Sequence, residues 1–198
     1  MKHQSKNGAQ TLKGRPVDTL ERAYDKIHAW FFAYPSKEFS LNDLTRHLNI
    51  SKTVANKVVE QLSSKGFLNV RIIGRLWLIS VNPAHQYART RKIPFHLKCV
   101  YESGIVEWVR KNVPNAKSVI LFGSYRKGDD TEESDIDIAV EIAGGTQRKE
   151  ISLVAKDIGY RKNVPIQVHI FSRRNVDVNL FNNIANGILL EGFLEVKL

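Results

Sequence analysis

Along residues 19–35 the apolar positions Leu20, Tyr24, Ile27, Trp30 and Phe31 recur every three to four residues and stop at Pro35, which predicts an amphipathic helix. A second helix is predicted from "FSLNDLTRHLNI". Ser40 with Asp43 three residues on forms a capping-box pattern, and Leu41, Leu44 and Leu48 supply its apolar face. Ser51 is a suitable N-cap for a third, "SKTVANKVVEQLSSKG", which ends at Gly66 with Val54, Ala55, Val58, Val59 and Leu62 inward. "FLNVRIIGRLWLISV" then reads as two short strands around Gly74.

Beyond this point the pattern changes. "NPAHQYARTRKIPFHLK" has two prolines and no clear period, which predicts a basic linker over 83–97. A helix is predicted from Leu97 to Asn112, weakened by Gly104, and "SVILFGS" is an apolar run of the kind found in a buried strand. "DIDIAVEI" alternates strictly, with Asp135, Asp137, Ala139 and Glu141 on one face and Ile136, Ile138, Val140 and Ile142 on the other. "TQRKEISLVAKDIGYR" is predicted as a helix on the spacing of Ile151, Val154 and Ile158, and "VPIQVHIF" as a strand. A last helix around Val178 to Ala185 leads to a short closing strand in "GILLEGFLEV". Alternating strands and helices make this half α/β.

Charge divides the chain at the same place. Of 30 Lys and Arg against 20 Asp and Glu, residues 1–97 hold 16 and 6, so the whole excess of +10 lies in the first half. No acid occurs from Gln61 to Tyr101. Two modules are implied, the first facing a polyanion. Three helices followed by a basic hairpin resemble a winged helix over residues 20–82. On that likeness Lys52, Thr53, Asn56 and Lys57 of the third helix, with Arg71 and Arg75 of the hairpin, would meet duplex DNA. A winged helix used for protein contacts or as scaffold is the competing reading. The expected divisions are a flexible tail at 1–18, the winged helix-turn-helix domain at 19–82, the linker at 83–97 and a second domain at 98–198.

One cysteine, Cys99, excludes an internal disulfide, and no apolar run reaches the ~18 residues of a membrane span. The opening residues lack the apolar core of a signal peptide, so a cytoplasmic protein without membrane attachment is expected.

The chemistry concentrates in "VILFGSYRKGDDTEESDIDIAVEI". Two residues apart on a strand, Asp135 and Asp137 leave one face about 6.5 Å apart, and both carboxylates can lean toward a shared hard cation. Gly123 lets backbone approach a phosphate, Ser124 offers a hydroxyl and an amide, and Arg126 and Lys127 carry charge that would offset a triphosphate. Asp129, Asp130, Glu132 and Glu133 read as a solvated acidic turn. A buried strand, Gly-Ser, ten intervening residues and Asp-x-Asp on an alternating strand resemble the nucleotidyltransferases of the DNA polymerase beta superfamily, in their minimal form, over about residues 98–195.

The resemblance implies an α/β nucleotidyltransferase fold with a small mixed sheet. It also implies that Gly123 and Ser124 hold the phosphates of a nucleoside triphosphate while Asp135 and Asp137 bind Mg²⁺ or Mn²⁺. The reaction would transfer a nucleoside monophosphate to an acceptor hydroxyl. The family's third carboxylate has no match: its place falls on Gln167, which cannot act as a base at neutral pH. His169 and Glu141 are the candidate substitutes. Resemblance further implies a toxin–antitoxin or defence context, with a partner protein such as a HEPN-type toxin, or tRNA, as acceptor. A homodimer is a further expectation, since winged-helix proteins commonly pair on DNA. The competing function is a DNA-binding regulator whose second domain is catalytically impaired and binds nucleotide or docks a partner.

Overall fold

The computed structural model describes residues 19–144 and 148–195, so the tail expected at 1–18 lies outside the described residues. Helices α1 (Thr19–Ala33), α2 (Leu41–Leu48) and α3 (Lys52–Ser64) form where the apolar spacing placed them. The capping box at α2 is present in both directions: the Ser40 hydroxyl accepts from the Asp43 amide at 3.1 Å, and the Asp43 carboxylate accepts from the Ser40 amide at 3.0 Å. Ser51 caps α3, accepting from the Val54 amide at 3.3 Å. Strands β1 (Leu68–Ile73) and β2 (Leu76–Val81) pair as an antiparallel hairpin, and Phe39 exchanges both backbone hydrogen bonds with Ile79, adding a third short strand position. Ile27, Phe31, Leu44, Val58, Val59, Leu62, Phe67 and Ile79 are all but fully buried between these elements.

Residues 83–97 are not an irregular linker. They hold α4 (Tyr87–Thr90) and the start of α5 (Lys92–Glu102), whose Lys92 and His96 are buried and whose Phe95 packs against both halves of the molecule. The helix predicted over 97–112 is two helices, because Gly104 takes a left-handed conformation (φ +77°) and α6 (Ile105–Asn112) starts anew after it.

The second half is a mixed five-stranded sheet. Strands β3 (Ala116–Phe122), β4 (Ile136–Ile142), β5 (Lys149–Ile158), β6 (Arg161–Phe171) and β7 (Ile188–Gly192) lie in the order β5-β6-β4-β3-β7. Only β4 and β6 are parallel; the other neighbours run antiparallel. The alternation of β4 is realised: Ile136, Ile138 and Val140 enter the core under α5 and α6, while Ala139 joins Ile120, Phe122, Phe171 and Ile184 beneath α8 (Val178–Ala185).

Of the helix predicted over 146–161, Lys149–Ile158 is strand β5. Its helical spacing was accidental: Ile151, Leu153 and Ala155 turn toward the core while Glu150, Ser152, Val154 and Lys156 are exposed, a period of two. Gly159, at φ +58°, makes the tight turn that returns the chain as β6.

The two halves meet at the loop that precedes β4. Asp130, expected in a solvated turn, is buried, with its carboxylate 2.9 Å from the Lys92 ammonium and 3.4 Å from the His96 ring. Lys92 also donates to the carbonyls of Gly128 (3.2 Å) and Asp130 (2.7 Å). Burial pushes the Asp130 carboxyl up to about 6, with Lys92 opposing, and burial together with the Lys92 charge holds His96 down at about 3. At neutral pH the cluster is therefore an ion pair against a neutral imidazole. At the far end of the loop the buried Arg161 donates to the Ser134 carbonyl (2.8 Å) and to the Tyr125 hydroxyl (2.5 Å). Tyr34 adds a direct tie between the halves, donating to the Tyr160 carbonyl at 2.9 Å. Among the described residues no helix is long and apolar enough to cross a membrane.

Candidate active site

Strand β3 is buried almost throughout and ends at Phe122, whose partner across the antiparallel pair is Asp137 of β4. The chain then turns at Gly123 (φ +70°) into the short helix α7 (Gly123–Lys127), with Ser124 in its first turn. A β-carbon on Gly123 would fall 2.1 Å from Asp137 Oδ2 and 3.0 Å from its Cγ. The Asp137 carboxylate thus occupies the space that any other residue at 123 would fill.

On the other side, the parallel register sets Gln167 beside Asp137 and His169 beside Ala139. Gln167 Nε2 donates to Asp135 Oδ2 at 3.3 Å, and Gln167 Oε1 accepts from the Ser152 hydroxyl at 2.7 Å. With its oxygen taken by Ser152, the amide presents donors to Asp135. His169 lies with Nε2 3.6 Å from Asp137 Oδ1 and Nδ1 3.3 Å from Glu150 Oε1, its ring edge-on to Phe122 at 5.4 Å. Arg148, then His169, hold the Glu150 carboxyl below its ordinary value.

The predicted residues separate into three places. Gly123, Ser124, Asp135, Asp137, Gln167 and His169 converge at the ends of β3, β4 and β6. Glu141 does not join them, because it is buried and its carboxylate accepts from Arg173 Nε at 2.7 Å. Arg126 and Lys127 line a cleft between α7 and the N-terminal half, and the lining of that cleft includes none of Gly123, Ser124, Asp135 or Asp137. Glu150 and Ser152 were missed because their segment read as a helix; its alternate exposure, with Glu150 opposite His169 and Ser152 opposite Gln167, was the signal that would have found them.

In the first half, Lys52, Asn56 and Arg75 line one groove of about 240 Å³ formed by α2, α3 and β2. Lys52, Thr53 and Lys57 are exposed, and Asn56 donates to Glu60 at 2.9 Å. Arg71 is drawn aside into an exposed ion pair with Glu38 at 3.1 Å.

Residues 104–192 match the family model described as polymerase beta, nucleotidyltransferase. The second half is of the nucleotidyltransferase type. That span runs from the end of the α5–α6 break to β7 and contains every residue of the converged site, while α1 to α5 lie outside it. A protein of Methanocaldococcus jannaschii, provisionally named a protein adenylyltransferase, is 58% identical over 33 residues, 17% of this chain. The match spans 33% of that relative's length.

Gly123→Ala is expected to cost about 3 kcal/mol in urea unfolding, from left-handed strain plus displacement of the carboxylate. In an Asp137→Ala background the same change should cost only about 1 kcal/mol, the strain alone. Equal costs in both backgrounds would show that Asp137 does not fill that space.

Proposed function

We propose that the second half transfers a nucleoside monophosphate from a nucleoside triphosphate to a hydroxyl group on a macromolecule, using Mg²⁺ or Mn²⁺ carried by Asp135 and Asp137. The observation that supports this most is the packing of the Asp137 carboxylate over Gly123, directly beside Ser124. Among the described residues no group of three or more His, Cys, Asp or Glu is placed to hold a metal. A carboxylate pair still fits Mg²⁺, which is commonly held through one or two carboxylates together with substrate phosphates. A divalent ion there would neutralise phosphate charge as it develops.

The chain's own residues would do the rest. Gly123 lets the backbone come close to the phosphates, and the Ser124 hydroxyl donates to a phosphate oxygen. The acceptor oxygen attacks the α-phosphorus in line, the bond to the bridging oxygen breaks, and pyrophosphate leaves. His169 takes the acceptor's proton, with Glu150 facing its Nδ1 at 3.3 Å. Gln167 steadies Asp135 by donation and takes no proton. Glu141 is no longer a candidate base, since Arg173 holds it.

The name of the Methanocaldococcus relative makes ATP and a protein hydroxyl the first donor and acceptor to test. A partner protein of HEPN type in a toxin–antitoxin pair would be such an acceptor, and tRNA is the alternative. The three helices, the hairpin and the Phe39 bridge support reading residues 19–82 as a winged helix that tethers the enzyme to duplex DNA. A second reading, a DNA-binding regulator whose second domain binds nucleotide without turnover, is favoured by one contact: the group next to Asp135 is an amide.

Transfer is tested by incubating the protein with each α-labelled nucleoside triphosphate, Mg²⁺ and a cell extract. Label on a macromolecule with wild type, reduced at least a hundredfold by Asp137→Asn, is expected; no label from any nucleotide would favour the regulator. Tethering is tested by fluorescence anisotropy with duplex DNA. Affinity should fall steeply with salt and drop at least tenfold in Lys52→Glu with Arg75→Glu, and an unchanged affinity in that variant would remove the groove from DNA binding.

A further inference from the structure

The cleft lined by Arg126 and Lys127 has no part in the transfer described above. It encloses about 950 Å³ between the N-terminal helices, α4, α5 and the loop after α7. That volume is at the upper end of small-molecule sites and far larger than a bare phosphate needs. Its walls differ in character. Phe32, Pro83 and Ile93 are apolar, while Arg89, Arg126 and Lys127 are basic, with Asp129 an exposed acid among them. Lys92 and Asp130 also line it but neutralise each other.

Arg89, Arg126 and Lys127 enter no ion pair among the described residues, although Asp129 and Glu132 lie within the same loop region. Three cations without an ion pair, one from α4 and two from α7, repel one another around one concavity, and an anionic ligand would relieve that. The cleft is also rigidly framed. A β-carbon on Gly128 (φ +78°) would fall 2.3 Å from the Ala88 carbonyl oxygen, so α4 packs directly on the loop, and the Lys92–Asp130 pair fastens α5 to it. The loop so held ends at Asp135.

We propose that this cleft is a second site, separate from the carboxylate pair, that binds a nucleoside phosphate: the base lies on the apolar wall and the phosphate on Arg89, Arg126 and Lys127. Guanidinium groups suit phosphate through paired hydrogen bonds, and a planar base suits the apolar wall. An occupant would touch both the N-terminal half and the loop that delivers Asp135, which makes the site one for an effector. The inference stands on the cleft itself and does not require that the enzyme turn over.

The probe is AMP, titrated calorimetrically into the full chain in EDTA, so that metal-assisted binding at Asp135 and Asp137 is absent. Saturable binding is expected, at least tenfold tighter than adenosine or inorganic phosphate alone. Asp137→Asn should leave it unchanged, and Arg89→Glu with Arg126→Glu should weaken it at least tenfold while keeping the wild-type unfolding midpoint. Lys127→Glu, at an exposed position, gives a second variant with a loss of at least threefold. The proposal is overturned if AMP does not saturate, if inorganic phosphate binds as tightly as AMP, or if Asp137→Asn abolishes binding that the cleft variants retain.

Discussion

The candidate site depends on one steric fact: the Asp137 carboxylate sits where a side chain at position 123 would be. Antiparallel pairing puts Phe122 opposite Asp137, and only a glycine after Phe122 lets the chain turn away under that carboxylate. The remaining groups take their positions from the same strand. Parallel pairing of β4 with β6 brings Gln167 alongside Asp137, and antiparallel pairing of β6 with β5 adds Ser152 and Glu150 behind Gln167 and His169. Four strands therefore contribute to one surface, and a slip of one residue in any pairing would turn its side chains to the opposite face.

Asp135 is placed differently, by a loop instead of a ladder. That loop is pinned by two buried cations, Lys92 at its start and Arg161 at its end. Removing charged groups from water is costly, and a buried pair is weak as a source of net stability, but losing one member leaves the other uncompensated. The pairing is better understood as fixing where the loop goes. Since Lys92 comes from the helix that joins the halves, the position of the N-terminal half and that of Asp135 are set by the same contact. The cleft beside it is bounded by the same elements, so an occupant there would touch a loop held from both halves.

Much of this was legible in the sequence where local chemistry decides structure. Ser40 with Asp43, Ser51, and the turn at Gly74 mark their elements through short-range hydrogen bonds and backbone freedom, and all three appear as expected. Strand β4 was recognisable because its sequence alternates strictly after a Gly-Ser. Positions set by distant partners were not. Strand β5 carries apolar residues at both helical and alternate spacing, and only pairing with β6 selects the strand. Asp130 read as solvated because its acidic neighbours are, whereas Lys92, 38 residues away, draws it inside. Arg126 and Lys127 follow Ser124 closely in sequence, yet they line the cleft against the N-terminal half.

In the proposed function Asp135 and Asp137, the latter packed over Gly123 beside Ser124, bind a metal–triphosphate without a third carboxylate. Electron paramagnetic resonance titration of Mn²⁺ in the presence of a non-hydrolysable nucleoside triphosphate tests it most directly. Saturable Mn²⁺ binding that requires the nucleotide is predicted, weakened at least tenfold by Asp137→Asn and by Asp135→Asn. Mn²⁺ binding of unchanged affinity in both variants, or none in the wild type, would contradict it.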